Sequence, residues 1–141
     1  MTNHNWQLVS LELAKRMKEL GFKQESLWWW VDVGIKCGEL NTQDWKLAHY
    51  RPQTKGMRTY NSSLDCSFEY YPNHYSAYTV AELGEMLSKG YNTFQTKFLA
   101  DKGKWKCCPN NLSALKGLEF ADTEANARAK MLIYLKGEGL L

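Results

Sequence analysis

The stretch Leu118-Glu119-Phe120-Ala121-Asp122-Thr123-Glu124-Ala125-Asn126-Ala127-Arg128-Ala129-Lys130-Met131-Leu132-Ile133-Tyr134-Leu135-Lys136-Gly137 states the fold most clearly. Leu118 to Ala121 reads as a short strand-like lead-in. Either Asp122 or Thr123 can accept hydrogen bonds from the free N–H groups of a helix start. Glu124 sets negative charge at the positive end of the helix dipole, and Lys136 sets positive charge in the last turn. Gly137 is expected to close the helix in the left-handed conformation. Ala125, Ala129, Leu132 and Ile133 form one apolar stripe, which Tyr134 and Leu135 widen. The alanine end suits close approach to a sheet, and the leucine end fills deeper core.

Working outward, Phe94 to Phe98 and Trp105 to Cys108 read as two short strands joined by the turn Asp101-Lys102-Gly103-Lys104. Before them, Thr79 and Glu82 form a capping box, with Tyr78 and Leu83 as its hydrophobic staple. The helix this opens runs to about Ser88, with Gly90 as its stop. Further back, Leu64, Cys66, Phe68 and Tyr70 alternate as a strand. Arg51 to Ser63 carries no periodicity and reads as a long loop, a length that usually signals function. Ser26 to Gly34 and Trp45 to Tyr50 form an expected hairpin. In the first strand Leu27, Trp29, Val31 and Val33 share the core face, opposite Trp28, Trp30 and Asp32. At the N-terminal end Val9, Leu13, Met17 and Leu20 recur at helical spacing from about Leu8 to Leu20. Gly21 ends that helix, and Lys15, Arg16 and Lys18 read as its solvated face, with an anion-binding face as the alternative. The pattern is α+β: three helices on a mainly antiparallel sheet of about five strands, in one domain covering residues 1–141.

Composition narrows the function classes. The apolar content of 44% excludes a disordered chain. Six Trp, eight Tyr and five Phe give an aromatic share of 13%, enough to supply stacking surfaces as well as core. A net charge of +3 permits an anionic partner but is far from that of a nucleic-acid-coating protein. Cys37, Cys66, Cys107 and Cys108 make no C-x-x-C pair, so all four thiols are expected to be free. No leader and no apolar run near the ~18 residues of a membrane span is apparent, which implies a reducing cytoplasm and no membrane partner.

Catalytic patterns are missing from the sequence. His4, His49 and His74 make no H-x-x-x-H or H-x-E pair, and His74-Tyr75-Ser76 is a single H-x-S where a two-histidine phosphoesterase needs two. Asp65, Glu69, Asp101 and Asp122 are scattered, and no phosphate-binding glycine loop occurs. The expectation is a protein that is not an enzyme and uses no cofactor or metal. What does carry chemistry is Trp28, Trp30, Tyr50 and Tyr60 in sequence proximity to His49, Arg51, Lys55 and Arg58. Aromatic faces stack bases at about 1–3 kcal/mol each. Guanidinium groups take phosphate oxygens in pairs. These eight residues are therefore the candidate ligand site for a nucleotide-like anion.

Three stretches carry a resemblance: Leu11-Glu12-Leu13-Ala14-Lys15 through Leu20-Gly21-Phe22-Lys23-Gln24-Glu25-Ser26, then Tyr78-Thr79-Val80-Ala81-Glu82-Leu83-Gly84-Glu85-Met86-Leu87, and Glu124 to Leu135. In that order they resemble small uncharacterised proteins encoded by phages and prophages of gut bacteria. The matching positions are helix caps and core, so no binding residue transfers. The resemblance implies a phage context, the cytoplasm of a bacterial host, and action by binding, as in inhibitors of host defence that sequester a nucleotide signal. A protein–protein adaptor anchored by the same aromatic residues is the alternative, with a host protein as partner. The same surface could also join copies of the chain in a homo-oligomer.

Overall fold

Thr79 and Glu82 close the box their spacing predicts: the Thr79 N–H donates to Glu82 Oε1 at 3.0 Å and the Glu82 N–H to Thr79 Oγ1 at 3.2 Å. The computed structural model describes residues 7–37, 39–49, 51, 57–61, 66–70, 73–90, 94–109 and 120–141. Its helices are α1 (Leu11–Glu19), α2 (Val80–Gly90) and α3 (Glu124–Gly137). Ser10 caps α1 through the N–H of Leu13, and Thr123, not Asp122, caps α3 through the N–H of Asn126. Asp122 instead pairs with the ammonium of Lys104, which holds its carboxyl below the usual range.

Both α1 and α3 end in the same hydrogen-bonded motif. After α1, Gly21 at φ 87° bonds to the Lys18 carbonyl and Phe22 to the Met17 carbonyl. After α3, Gly139 at φ 70° bonds to Lys136 and Leu140 to Leu135. The left-handed closing residue is therefore Gly139, and Gly137, expected in that role, is the last helical residue. The closing position falls two residues later than expected because Glu138 continues the hydrogen-bonded spiral through the Tyr134 carbonyl.

The described strands are β1 (Trp29–Asp32), β2 (Lys36–Cys37), β3 (Leu40–Asn41), β4 (Trp45–Ala48), β5 (Met57–Asn61), β6 (Cys66–Tyr70), β7 (His74–Ser76), β8 (Phe94–Leu99) and β9 (Lys104–Pro109). All pairings among them are antiparallel. The five expected strands correspond to β1, β4, β6, β8 and β9. They do not share one sheet: β4-β1-β7 form three strands, while β2-β3, β5-β6 and β8-β9 are separate pairs. Of the added strands, β2, β3 and β7 are two or three residues long, too short for alternation to show, and β5 lies inside the stretch read as a loop. Trp105 and Ala121 exchange backbone bonds of 2.7 and 2.9 Å, tying the β8-β9 hairpin to the start of α3.

The core forms around α3. Ala125, Ala127, Ala129, Met131, Leu132 and Leu135 are all buried, and α3 touches α1, α2, β8 and β9. The buried set is wider than the expected stripe, and Ile133 is only partly covered. Arg128 joins the elements that meet there. Its Nη2 donates to Glu124 Oε1 at 3.0 Å, its Nη1 to the Val80 carbonyl at 2.8 Å and its Nε to Thr96 Oγ1 at 3.1 Å. The guanidinium also lies 5.2 Å from the centre of the Phe94 ring. Gly84 makes this possible, because a Cβ there would stand 2.5 Å from Nη1. Arg128→Met should therefore lower the unfolding free energy by about 2–4 kcal/mol. Gly84→Ala should cost about 1–3 kcal/mol by crowding the same group. Urea titrations check both; a loss under about 0.5 kcal/mol would place Arg128 among ordinary surface residues.

Candidate functional site: the aromatic face of the three-stranded sheet

The register fixes which side chains share a face. Trp29 pairs with Ala48, Trp30 with Leu47 and Asp32 with Trp45, while Trp30 pairs with Tyr75 on the other side. Strand alternation then puts Trp30, Asp32, Trp45, Leu47 and Tyr75 on one face. Continuing the register one step places Trp28 opposite His49 on that same face. The two rings stack there, with centroids 4.6 Å apart and 29° between the planes. The other face carries Trp29 and Val31, both buried, with the His74 ring edge-on to Trp29 at 5.4 Å. The division of Trp28 and Trp30 from Trp29 and Val31 follows the expected alternation. Leu27 and Val33, expected in the core, are 64% and 43% exposed. The regular strand is shorter than the apolar run: Ser26 Oγ accepts the Trp28 N–H at 3.2 Å and bends the chain before β1. At its other end, buried Asp32 takes the N–H groups of Gly34 and Asp44, each at 3.0 Å.

The eight candidate residues part company in three dimensions. Trp28 and His49 meet. Trp30 is half-buried and donates its indole N–H to the Val9 carbonyl at 3.0 Å, so that polar edge is committed to holding the segment before α1. Its ring lines a cleft of about 380 Å³ with Val9, Ser10, Asp122, Thr123 and Asn126. Exposed Arg51 lies over Trp29, 5.7 Å from the ring centre, and so against the opposite face of the sheet. Arg58 and Tyr60 stand two positions apart on β5, in the separate β5-β6 hairpin. Tyr50 and Lys55 lie outside the described residues.

In place of the arginines, α1 supplies the cations. Trp45 and Tyr75 come together at 5.6 Å between ring centres. Lys15 Nζ sits 5.0 Å from the Trp45 centre and 5.9 Å from Tyr75, and Lys18 Nζ sits 5.0 Å from Tyr75. Lys18 also donates to the His74 carbonyl at 3.4 Å. Two lysines of the run that reads in sequence as a solvated helix face thus lie over an aromatic pair, while Arg16 stays exposed and pairs with Glu19. No local pattern signals this, because the lysines are about 30 residues from Trp45 and 60 from Tyr75 and meet them only when α1 docks on β7.

Cys107 and Tyr78 are buried in the core. Burial pushes the Cys107 thiol up to about 11 and the Tyr78 phenol up to about 12. The Tyr78 hydroxyl donates to the Lys23 carbonyl, beside a second cleft of about 390 Å³. Among the described residues no group of three or more His, Cys, Asp or Glu could hold a metal ion, and no helix is long and apolar enough to cross a membrane. Compared with family models, curated proteins and solved structures, the chain matches none.

Both raised groups favour the neutral form in the fold, which fixes the sign of a pH effect. Their contribution to stability is complete below their ordinary values of 9.0 and 10.0 and is lost as pH rises towards about 11 and about 12. The urea midpoint should fall across that window, and less steeply in Cys107→Ala. An equal fall in the variant would remove Cys107 from the account.

Proposed function

We propose that this protein is a non-enzymatic binding protein for a nucleotide-like anion, held on the Trp45–Tyr75 pair with its phosphate at Lys15 and Lys18. The observation that carries this reading is the seating of two ammonium groups within 6 Å of two neighbouring aromatic rings. Lysine is a compact charge on a flexible stem, so each ammonium can leave the ring face for a phosphate oxygen while the ring takes the base. Among the described residues neither lysine has a carboxylate in ion-pair range, whereas Arg16 is paired with Glu19 at 3.3 Å. The resemblance to phage and prophage proteins adds the setting: a host cytoplasm, where holding such a ligand would sequester a nucleotide signal of host defence.

The test is quenching of tryptophan fluorescence by ATP. The expected result is saturable quenching that weakens steeply with salt, and a loss of about tenfold in affinity, near 1.4 kcal/mol, in Lys15→Ala/Lys18→Ala. Binding that ignores both salt and the double variant would overturn the reading. Binding instead of a host protein, insensitive to salt, would favour the adaptor.

A further inference from the structure

The same sheet face carries a second stacking platform, and its spacing bears on the size of the ligand. Trp28 and His49 stack at one end of the face, and Trp45 and Tyr75 lie at the other. His49 and Trp45 are four residues apart along the β4 segment, which in extended chain is about 13 Å. One stacked nucleotide step is about 3.4 Å, so a single nucleotide cannot touch both platforms, while a strand of about five can. Between them on this face lies half-buried Leu47, which presents no charge to a passing backbone. β4 is an outer strand of its sheet, so the path is open along that side among the described residues. Trp30 occupies the inner part of the face and is held to Val9, which keeps the route on the β4 side.

We infer that the ligand is a short single-stranded oligonucleotide lying along β4, with one base on Trp45–Tyr75, another on the exposed ring of His49 backed by Trp28, and phosphates at Lys15 and Lys18. This rests on the reading of the Lys15–Lys18 cluster as a nucleotide site and extends it to a second base. Stacking on aromatic rings tolerates any base, so the site would discriminate by strand length and single-strandedness more than by sequence. A duplex keeps its bases paired and stacked on one another and cannot offer them to both platforms.

The experiment compares thymidine monophosphate with a fluorescent oligothymidylate of about six nucleotides by competition and anisotropy, on the full chain. The oligonucleotide should bind at least about tenfold more tightly than the monophosphate. His49→Ala, a change at an exposed ring, should remove most of that advantage and leave monophosphate binding as it was. Lys15→Ala/Lys18→Ala should weaken both ligands. If the monophosphate binds and the oligonucleotide binds no tighter, or if His49→Ala leaves the preference intact, the inference falls while the nucleotide reading stands. If neither ligand binds, both fall. Equal binding of the same sequence as a duplex would overturn the single-stranded assignment.

Discussion

Arg128 is the constraint on which the arrangement of this protein depends. Its side chain is only 16% exposed, so its charge must find partners within the fold. It finds them on three elements at once: Glu124 on its own helix, the first carbonyl of α2 and a threonine on β8. A buried ion pair adds little net stability compared with a well-packed apolar pair, but breaking it by removing one partner is costly. The consequence is specificity of position. α2 can approach α3 only where Gly84 leaves room for the guanidinium, and β8 only where Thr96 can meet Nε.

From that fixed centre the candidate site follows by contact. α3 packs on α1, and the Asn126 amide oxygen accepts the backbone N–H of Ser10, which locates the start of α1 against the start of α3. α1 in turn lies on β7, which brings Lys15 and Lys18 over Trp45 and Tyr75. Trp30 locks the same junction from the sheet side through Val9. The aromatic face is therefore held by the core on one side, and its outer strand runs free of described neighbours on the other.

Much of the fold was legible because its signals are local. The Thr79–Glu82 box, the stop at Gly21, the β8-β9 hairpin and the alternation across Trp28 to Val31 each depend on residues a few positions apart, and each is found in the structure. What was not legible needed distant partners or very short elements. The two-residue strands β2 and β3 have no period to read, and β7 forms because β1 offers it an edge. Gly137 and Gly139 are equally plausible helix stops in one dimension, and only the backbone geometry separates them. Of the expected ligand-site residues, only some are brought together among the described residues. Trp28 and His49 do meet, but Arg51 turns to the opposite face because the strand ends after Ala48, and the lysines arrive from another element altogether.

The most direct test of the central claim is a map of where a nucleotide touches the protein. Amide and indole nitrogen–proton spectra, recorded as thymidine monophosphate and then the oligonucleotide are added, report each tryptophan separately. The Trp45 indole and the amides around Lys15 and Lys18 should shift with the monophosphate. Trp28 and His49 should join them with the oligonucleotide, while the Trp30 indole, held by Val9, moves least. Shifts confined to the cleft beside Phe22 and Tyr78, or no shifts at all, would contradict it.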